Sequence, residues 1–143
     1  MARNSRDFTY DNATLLKDAG AVAADAAGTV LAAVKVVTLG AGRADARMIV
    51  DVSAIVVGAD NRYDIQLQFS NSPTFASGVI GGASLSLGNA AVLPGESATS
   101  VIGRYEAAFT NEINGTLYSY CRVYTNVSGT TPSINYTAYL VTR

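Results

Sequence analysis

Residues 62–70, RYDIQLQFS, alternate without a break. Tyr63, Ile65, Leu67 and Phe69 are apolar, and Arg62, Asp64, Gln66, Gln68 and Ser70 are polar. Side chains of an extended chain point to opposite faces in turn, so this spacing predicts a strand with one face buried and one face wet. The preceding segment, ARMIVDVSAIVV (46–57), predicts a longer strand. Val50, Val52, Ala54 and Val56 fall on one face, and Asp51 and Ser53 share the other with Ile49, Ile55 and Val57, so both faces are expected to be partly covered. GADN (58–61) has the composition of a turn. The two segments and this turn read as an antiparallel hairpin.

The same reading extends along the chain. FTYDNATLL (8–16) offers a short first strand. In AGAVAADAAGTVLAA (19–33) alanine favours helix, but Gly20 and Gly28 interrupt and Val22, Thr29 and Val30 are β-branched. Loop and strand, with at most one helical turn, are expected there. VKVVTLG (34–40), VIGGASLSLG (79–88), VIGRYEAAFT (101–110), TLYSYCRVYTN (116–126) and INYTAYLVTR (134–143) read as further strands, separated by segments rich in Gly, Pro, Asn and Ser. About eight strands without a long helix predict an all-β fold, an antiparallel β-sandwich or jelly roll. Residues 1–10 read as a short extended N-terminal arm, flexible by composition, and 11–143 as one sandwich domain.

Composition changes the picture in one respect. Charged residues make up 15% of the chain and the formal net charge is −1, whereas ordinary soluble domains carry roughly 25% charged residues. Much of the surface is therefore expected to be covered by copies of the chain or by a partner. No apolar run reaches the roughly 20 residues that cross a bilayer. The start, MARNSRDFTYDN, has Arg3 and Arg6 but no apolar stretch behind them, so no signal peptide is expected, and synthesis in a cytoplasm is.

The chain has no histidine and one cysteine. Ser–His–Asp and Cys–His catalysis and histidine-based metal sites are thereby excluded. Cys121 can form no disulfide within the chain and reads as a buried thiol. Paired carboxylates remain chemically possible, but Glu96, Glu106 and Glu112 sit in no signature. Gly40-Ala41-Gly42 opens like a dinucleotide fingerprint, yet position 45 is Asp and the chain runs on into a strand. Neither an enzyme nor a bound cofactor or metal is expected. A slightly acidic balance argues against nucleic acid, whose binding needs a basic stripe.

What chemistry there is lies in TLYSYCRVYTN. Leu117, Ser119, Cys121, Val123 and Thr125 are small and are assigned to the core. Tyr118, Tyr120, Arg122 and Tyr124 then form an outward band, of residue types enriched where proteins meet. The competing reading packs the tyrosines under a second layer with their hydroxyls at the rim. Arg3 and Arg6 have a similar pair of readings, a free tail or a strap that orders on an acidic partner.

Several segments, in order, resemble the jelly-roll type of decoration, or cement, protein of tailed-phage capsids. They are DAGAVAADAAGTV, LGAGRADARMIVDVSA, DIQLQFSNSPTFASG and LYSYCRVYTNVSGTTPSINYTAYLV, and they cover most of the chain after residue 15. The arm MARNSRDFTYDN does not match. The resemblance implies a homotrimer on the outer virion surface that bridges subunits of the major capsid protein and clamps the shell against genome pressure. It implies no catalytic residue, nucleic-acid partner or membrane partner. Two other readings stand beside it: a carbohydrate-binding β-sandwich of a phage fibre or adhesin that stacks sugars on Tyr118, Tyr120 and Tyr124, and a tail or head-completion component.

Overall fold

The structure is a computed structural model and describes residues 14–142. Arg3, Arg6 and the rest of the N-terminal arm lie outside the described residues. The strands are β1 (Leu15–Lys17), β2 (Ala21–Val22), β3 (Ala26–Ala27), β4 (Thr29–Val30), β5 (Ala33–Val34), β6 (Val37–Thr38), β7 (Asp45–Val56), β8 (Arg62–Ser70), β9 (Ile80–Gly88), β10 (Gly103–Thr110), β11 (Glu112–Ile113), β12 (Thr116–Leu117), β13 (Tyr120–Ser128) and β14 (Ser133–Thr142). One 3-10 turn, Ala90–Val92, interrupts the long β9–β10 connection.

Two antiparallel sheets pack face to face as a β-sandwich. The first has the order β1-β14-β7-β10 with β2 also on β14, and the second β3-β13-β8-β9 with β6 also on β13. Early strands pair with late ones: β1 with β14, β3 with β13, β7 with β10 and β8 with β9. Such nested pairing is a long two-stranded ribbon rolled up, the jelly-roll arrangement. It also overturns the expected hairpin of 46–57 with 62–70. β7 and β8 belong to different sheets, and GADN is an arch between layers. The turn before β14 is an arch too, because β13 and β14 lie in opposite sheets.

The alternation of RYDIQLQFS is realised from Arg62 to Phe69. Ser70, expected on the wet face, is buried under the loop 71–78, where its Oγ donates to Ser77 O and accepts from Ser72 N. Tyr63, Ile65, Leu67 and Phe69 are completely buried between the sheets, and burial of each side chain is worth about 1.5–3 kcal/mol. In β7 the expected face holds only as far as Val52. Ala46, Met48, Val50 and Val52 point into the core, but a β-bulge opposite Asn135 and Tyr136 inserts one residue. The side-chain phase then flips. Ile55 turns towards the core, while Ala54 and Val56, assigned to the Val50 face by alternation, are exposed. The segment 34–40 is likewise not one strand. It splits into β5 and β6, each two residues long, and no helical turn forms in 19–33.

Besides Ser70, three polar residues that alternation does not place inside are buried among the described residues, Lys17, Asn61 and Asn111. Lys17 is 4% exposed, and its Nζ donates to the carbonyls of Asp18, Gly20 and Tyr136 at 2.9, 2.9 and 2.8 Å. The ammonium also lies 4.5 Å from the Tyr136 ring centroid. Burial pulls its pKa below the ordinary lysine value, against a smaller opposite pull from Asp18. Removing the ammonium strands three carbonyls, so Lys17→Met is expected to cost about 1–3 kcal/mol in equilibrium denaturation.

Asn61 and Asn111 tie together loop clusters. Asn61 donates from Nδ2 to Val56 O and Thr131 O, clamping both inter-sheet arches. The Tyr63 hydroxyl works beside it, bonding Val56 O and accepting from Ser133 N. Gly129, at φ 121°, approaches so closely that a Cβ would lie 2.2 Å from Asn61 Oδ1. Asn111 is wholly buried. Its Oδ1 accepts from Ala44 N at 2.7 Å, and its Nδ2 donates to Gly42 O at 2.9 Å and Tyr118 O at 3.0 Å.

Candidate functional site

The outward band of β13 sits on the outer face of the second sheet. Cys121, Val123 and Thr125 point into the core, at 0, 0 and 1% exposure, and Tyr120, Arg122 and Tyr124 point away and are half-buried. Pairing with β8 sets Tyr120 opposite Ser70, Arg122 opposite Gln68 and Tyr124 opposite Gln66. The face therefore alternates phenol and guanidinium with side-chain amides, and on β9 Ser84 and Ser86 continue it opposite Gln66 and Asp64.

Tyr118 does not belong to this band. Tyr118 and Ser119 lie between β12 and β13, outside either strand, and the side-chain phase slips there. Tyr118 turns towards the core, with its ring 6.3 Å from that of Phe69. Leu117, assigned to the core by alternation, is 39% exposed instead, and Ser119 is half-buried. The other side of Tyr118 lines an open cleft of about 430 Å³ with Asn71, Ser72, Ser77, Gly78 and Thr116.

Arg122 is the fixed point of the face. Its Nε donates to Gln68 Oε1 at 2.9 Å, and its guanidinium carbon lies 4.5 Å from the Phe75 ring centroid and 5.5 Å from that of Tyr124. A guanidinium between two aromatic rings is attracted to both π faces and loses its freedom to swing. Phe75 comes from the loop 71–78, which folds back over the sheet. Ser70 Oγ donates to Ser77 O, Ser72 N donates to Ser70 Oγ, and Asn71 bridges Leu117 O and Ser119 N. Phe75 itself is only 8% exposed and holds φ at 56°, a left-handed conformation that costs a bulky residue energy. Nothing in the alternation of β13 announces Phe75. Its only sequence signal is an aromatic within a loop of turn residues.

The outer face of the first sheet differs. Leu15, Ile49 and Tyr139 form a second, smaller apolar cluster, with Val30 and Val141 against it. The cluster grades into a groove of about 280 Å³ lined by Arg47, Ile49, Arg104, Glu106, Tyr139 and Val141. Arg47 pairs with Glu106 at 3.0 Å and Arg104 with Asp51 at 2.8 Å. These pairs are exposed and contribute little to stability.

Among the described residues no three His, Cys, Asp or Glu side chains stand close enough to hold a metal ion. Cys121 is a free thiol that burial pushes up to about 12 in pKa, so it stays protonated at neutral pH and is a poor nucleophile. No helix among the described residues is long and apolar enough to cross a membrane. No family model and no curated protein matches the chain.

Proposed function

We propose that the chain is a structural protein of a phage virion, a decoration protein that binds the outer surface of the capsid in several copies and bridges subunits of the major capsid protein. The observation that carries this reading is the outer face of the second sheet. Tyr120, Arg122 and Tyr124 offer large contact area with polar tips, and Phe75 and Gln68 hold Arg122 in place before any partner arrives. Side chains ordered in advance lose less entropy on binding. The rolled-up sandwich supplies a stiff support, and several weak feet on one shell add their effects through multivalency. The order of segments that resemble decoration proteins points the same way.

The test pairs the double variant Tyr120→Ala/Tyr124→Ala with genome-free capsids of the cognate phage. Both residues are half-buried on an outer face, so the variant is expected to stay folded. Its affinity for capsids should fall at least about 30-fold, the loss expected for truncating interface anchors. Particles assembled without the protein should release their genome at a lower temperature. A wild-type chain that does not co-sediment with capsids would remove the proposal.

The same face favours one second reading. Tyrosines alternating with Gln66, Gln68, Ser84 and Ser86 on a flat sheet could stack sugar rings and hydrogen-bond their hydroxyls. Hits on a glycan array, together with no capsid binding, would select it.

A further inference from the structure

The second sheet ends on β9, which pairs with β8 on one side and with no strand among the described residues on the other. Two contacts fix the direction of its backbone groups. Asn89 N donates to Asn61 O at 3.0 Å, the bond that flanks a widely spaced pair of an antiparallel ladder, here Arg62 opposite Gly88. The N–H and C=O of Gly88 therefore point away from β8. Ser100 takes both: its N donates to Gly88 O at 2.9 Å, and its Oγ accepts from Gly88 N at 3.0 Å. The register runs unbroken from Gly88 to Ser84, and the direction of backbone groups alternates with a period of two. The N–H and C=O groups of Ser84 and Ser86 thus point outward as well, with no partner among the described residues.

Such an edge is a template for another strand, and folds usually guard it with charge, proline or a covering loop. β10, the neighbouring edge of the first sheet, carries Arg104 and Glu106. β9 has no such guard: VIGGASLSLG (79–88) contains neither a charged residue nor a proline. Its regular stretch is bounded at one end by the irregular pairing between Gln66 and Gln68, and at the other by Ser100 on Gly88. The core is less covered on this side. Ile80, Ala83 and Leu85 of β9 and Tyr105 and Ala107 of β10 pack against it but are only partly buried. The seam between the two edges therefore has an apolar floor.

We infer that β9 receives an extended segment of a partner protein, which adds to the second sheet through the backbone of Ser84 and Ser86. Two N–H and two C=O groups, repeating at roughly 6.8 Å, match the backbone of an extended polypeptide. The side chains of that segment follow from the surroundings. Every second one lies beside Leu85 over the half-buried seam and is apolar, because a charge there would lose water without gaining a partner. The others lie beside the exposed Ser84 and Ser86 and are small or polar. The added strand extends the outer face that carries Arg122 and Tyr124, so strand and band meet one partner. The inference rests on the decoration reading, which makes the major capsid protein the owner of the segment.

Hydrogen exchange of the full chain, free and bound to genome-free capsids of the cognate phage, tests it by mass spectrometry on fragments that span 80–88. In the free chain the amides of Ser84 and Ser86 are expected to exchange fast, and those of Leu85 and Leu87, bonded to β8, slowly. Capsid binding should slow Ser84 and Ser86 at least about 100-fold. The variant Ser84→Pro removes one outward donor without touching the ladder to β8. It should melt close to the wild type and bind capsids at least about 10-fold more weakly. If the proline disturbs the fold, the exchange measurement, which needs no variant, decides. Capsid binding that leaves both amides unprotected, or undiminished binding by a folded Ser84→Pro, would overturn the inference and leave the decoration reading in place. A chain that does not co-sediment with capsids would remove both.

Discussion

Replacing Asn111 with alanine is expected to destabilise the fold by about 3 kcal/mol or more, the largest loss for any single polar side chain among the described residues. The side chain is wholly buried and makes three hydrogen bonds, to Ala44 N, Gly42 O and Tyr118 O. Truncation leaves one buried donor and two acceptors without partners, at about 1–3 kcal/mol each before water relieves part of the loss. Asn61→Ala should cost less, about 1–2 kcal/mol. Its two hydrogen bonds are longer, 3.2 and 3.3 Å, and its buried Oδ1 has no partner to lose. Asn111→Asp should be at least as harmful as alanine at neutral pH, because a carboxylate oxygen would replace Nδ2 and face two carbonyls. Equilibrium unfolding in urea measures all three. If Asn111→Ala proved milder than Asn61→Ala, local hydrogen bonding would not be what secures the loops at that end.

These asparagines mark the limit of what the sequence makes legible. β8 could be read residue by residue as far as Phe69, because strict alternation has no second interpretation and nothing interrupts its pairing with β13; only Ser70, buried by the loop that follows, departs from it. β7 was legible as an element but not in its faces. The bulge that turns Ile55 inward and Ala54 outward is a two-strand event, fixed by the register against Asn135 and Tyr136. The same holds for the slip that takes Tyr118 out of the band of Tyr120, Arg122 and Tyr124. A turn composition such as GADN states that the chain reverses, but hairpin and arch differ only in which distant strand each arm pairs with. Asn61, Asn111 and Lys17 were hidden for a related reason. Their partners are backbone carbonyls and amides, and backbone groups leave no residue signature in a sequence.

Stability is expected to fall as pH rises above 9, and Cys121 to account for most of the fall. Burial raises its thiol from an ordinary value of 9.0 to about 12. Burial likewise raises the Tyr136 phenol from 10.0 to about 12, against a smaller opposite effect of its hydrogen bond with Thr125. Below pH 9 both groups are neutral whether the chain is folded or not, and the full stability is present. Above it the unfolded chain gains free energy by ionising while the folded chain does not, so stability declines until the pH passes the folded values near 12. At about 1.4 kcal/mol per pKa unit, pH 11 should lie roughly 4 kcal/mol below pH 8, about two-thirds of it from the thiol. Lys17 acts in the opposite sense, since its lowered pKa lets the folded state shed a proton first and adds stability with rising pH below 10.5. Cys121→Ala should therefore be less stable than the wild type at pH 7, from the cavity it leaves, yet lose much less between pH 9 and 11. Denaturant titrations across that range, at constant ionic strength, compare the two slopes. Parallel slopes for wild type and variant would mean that the thiol is not shielded as its position between the two sheets requires.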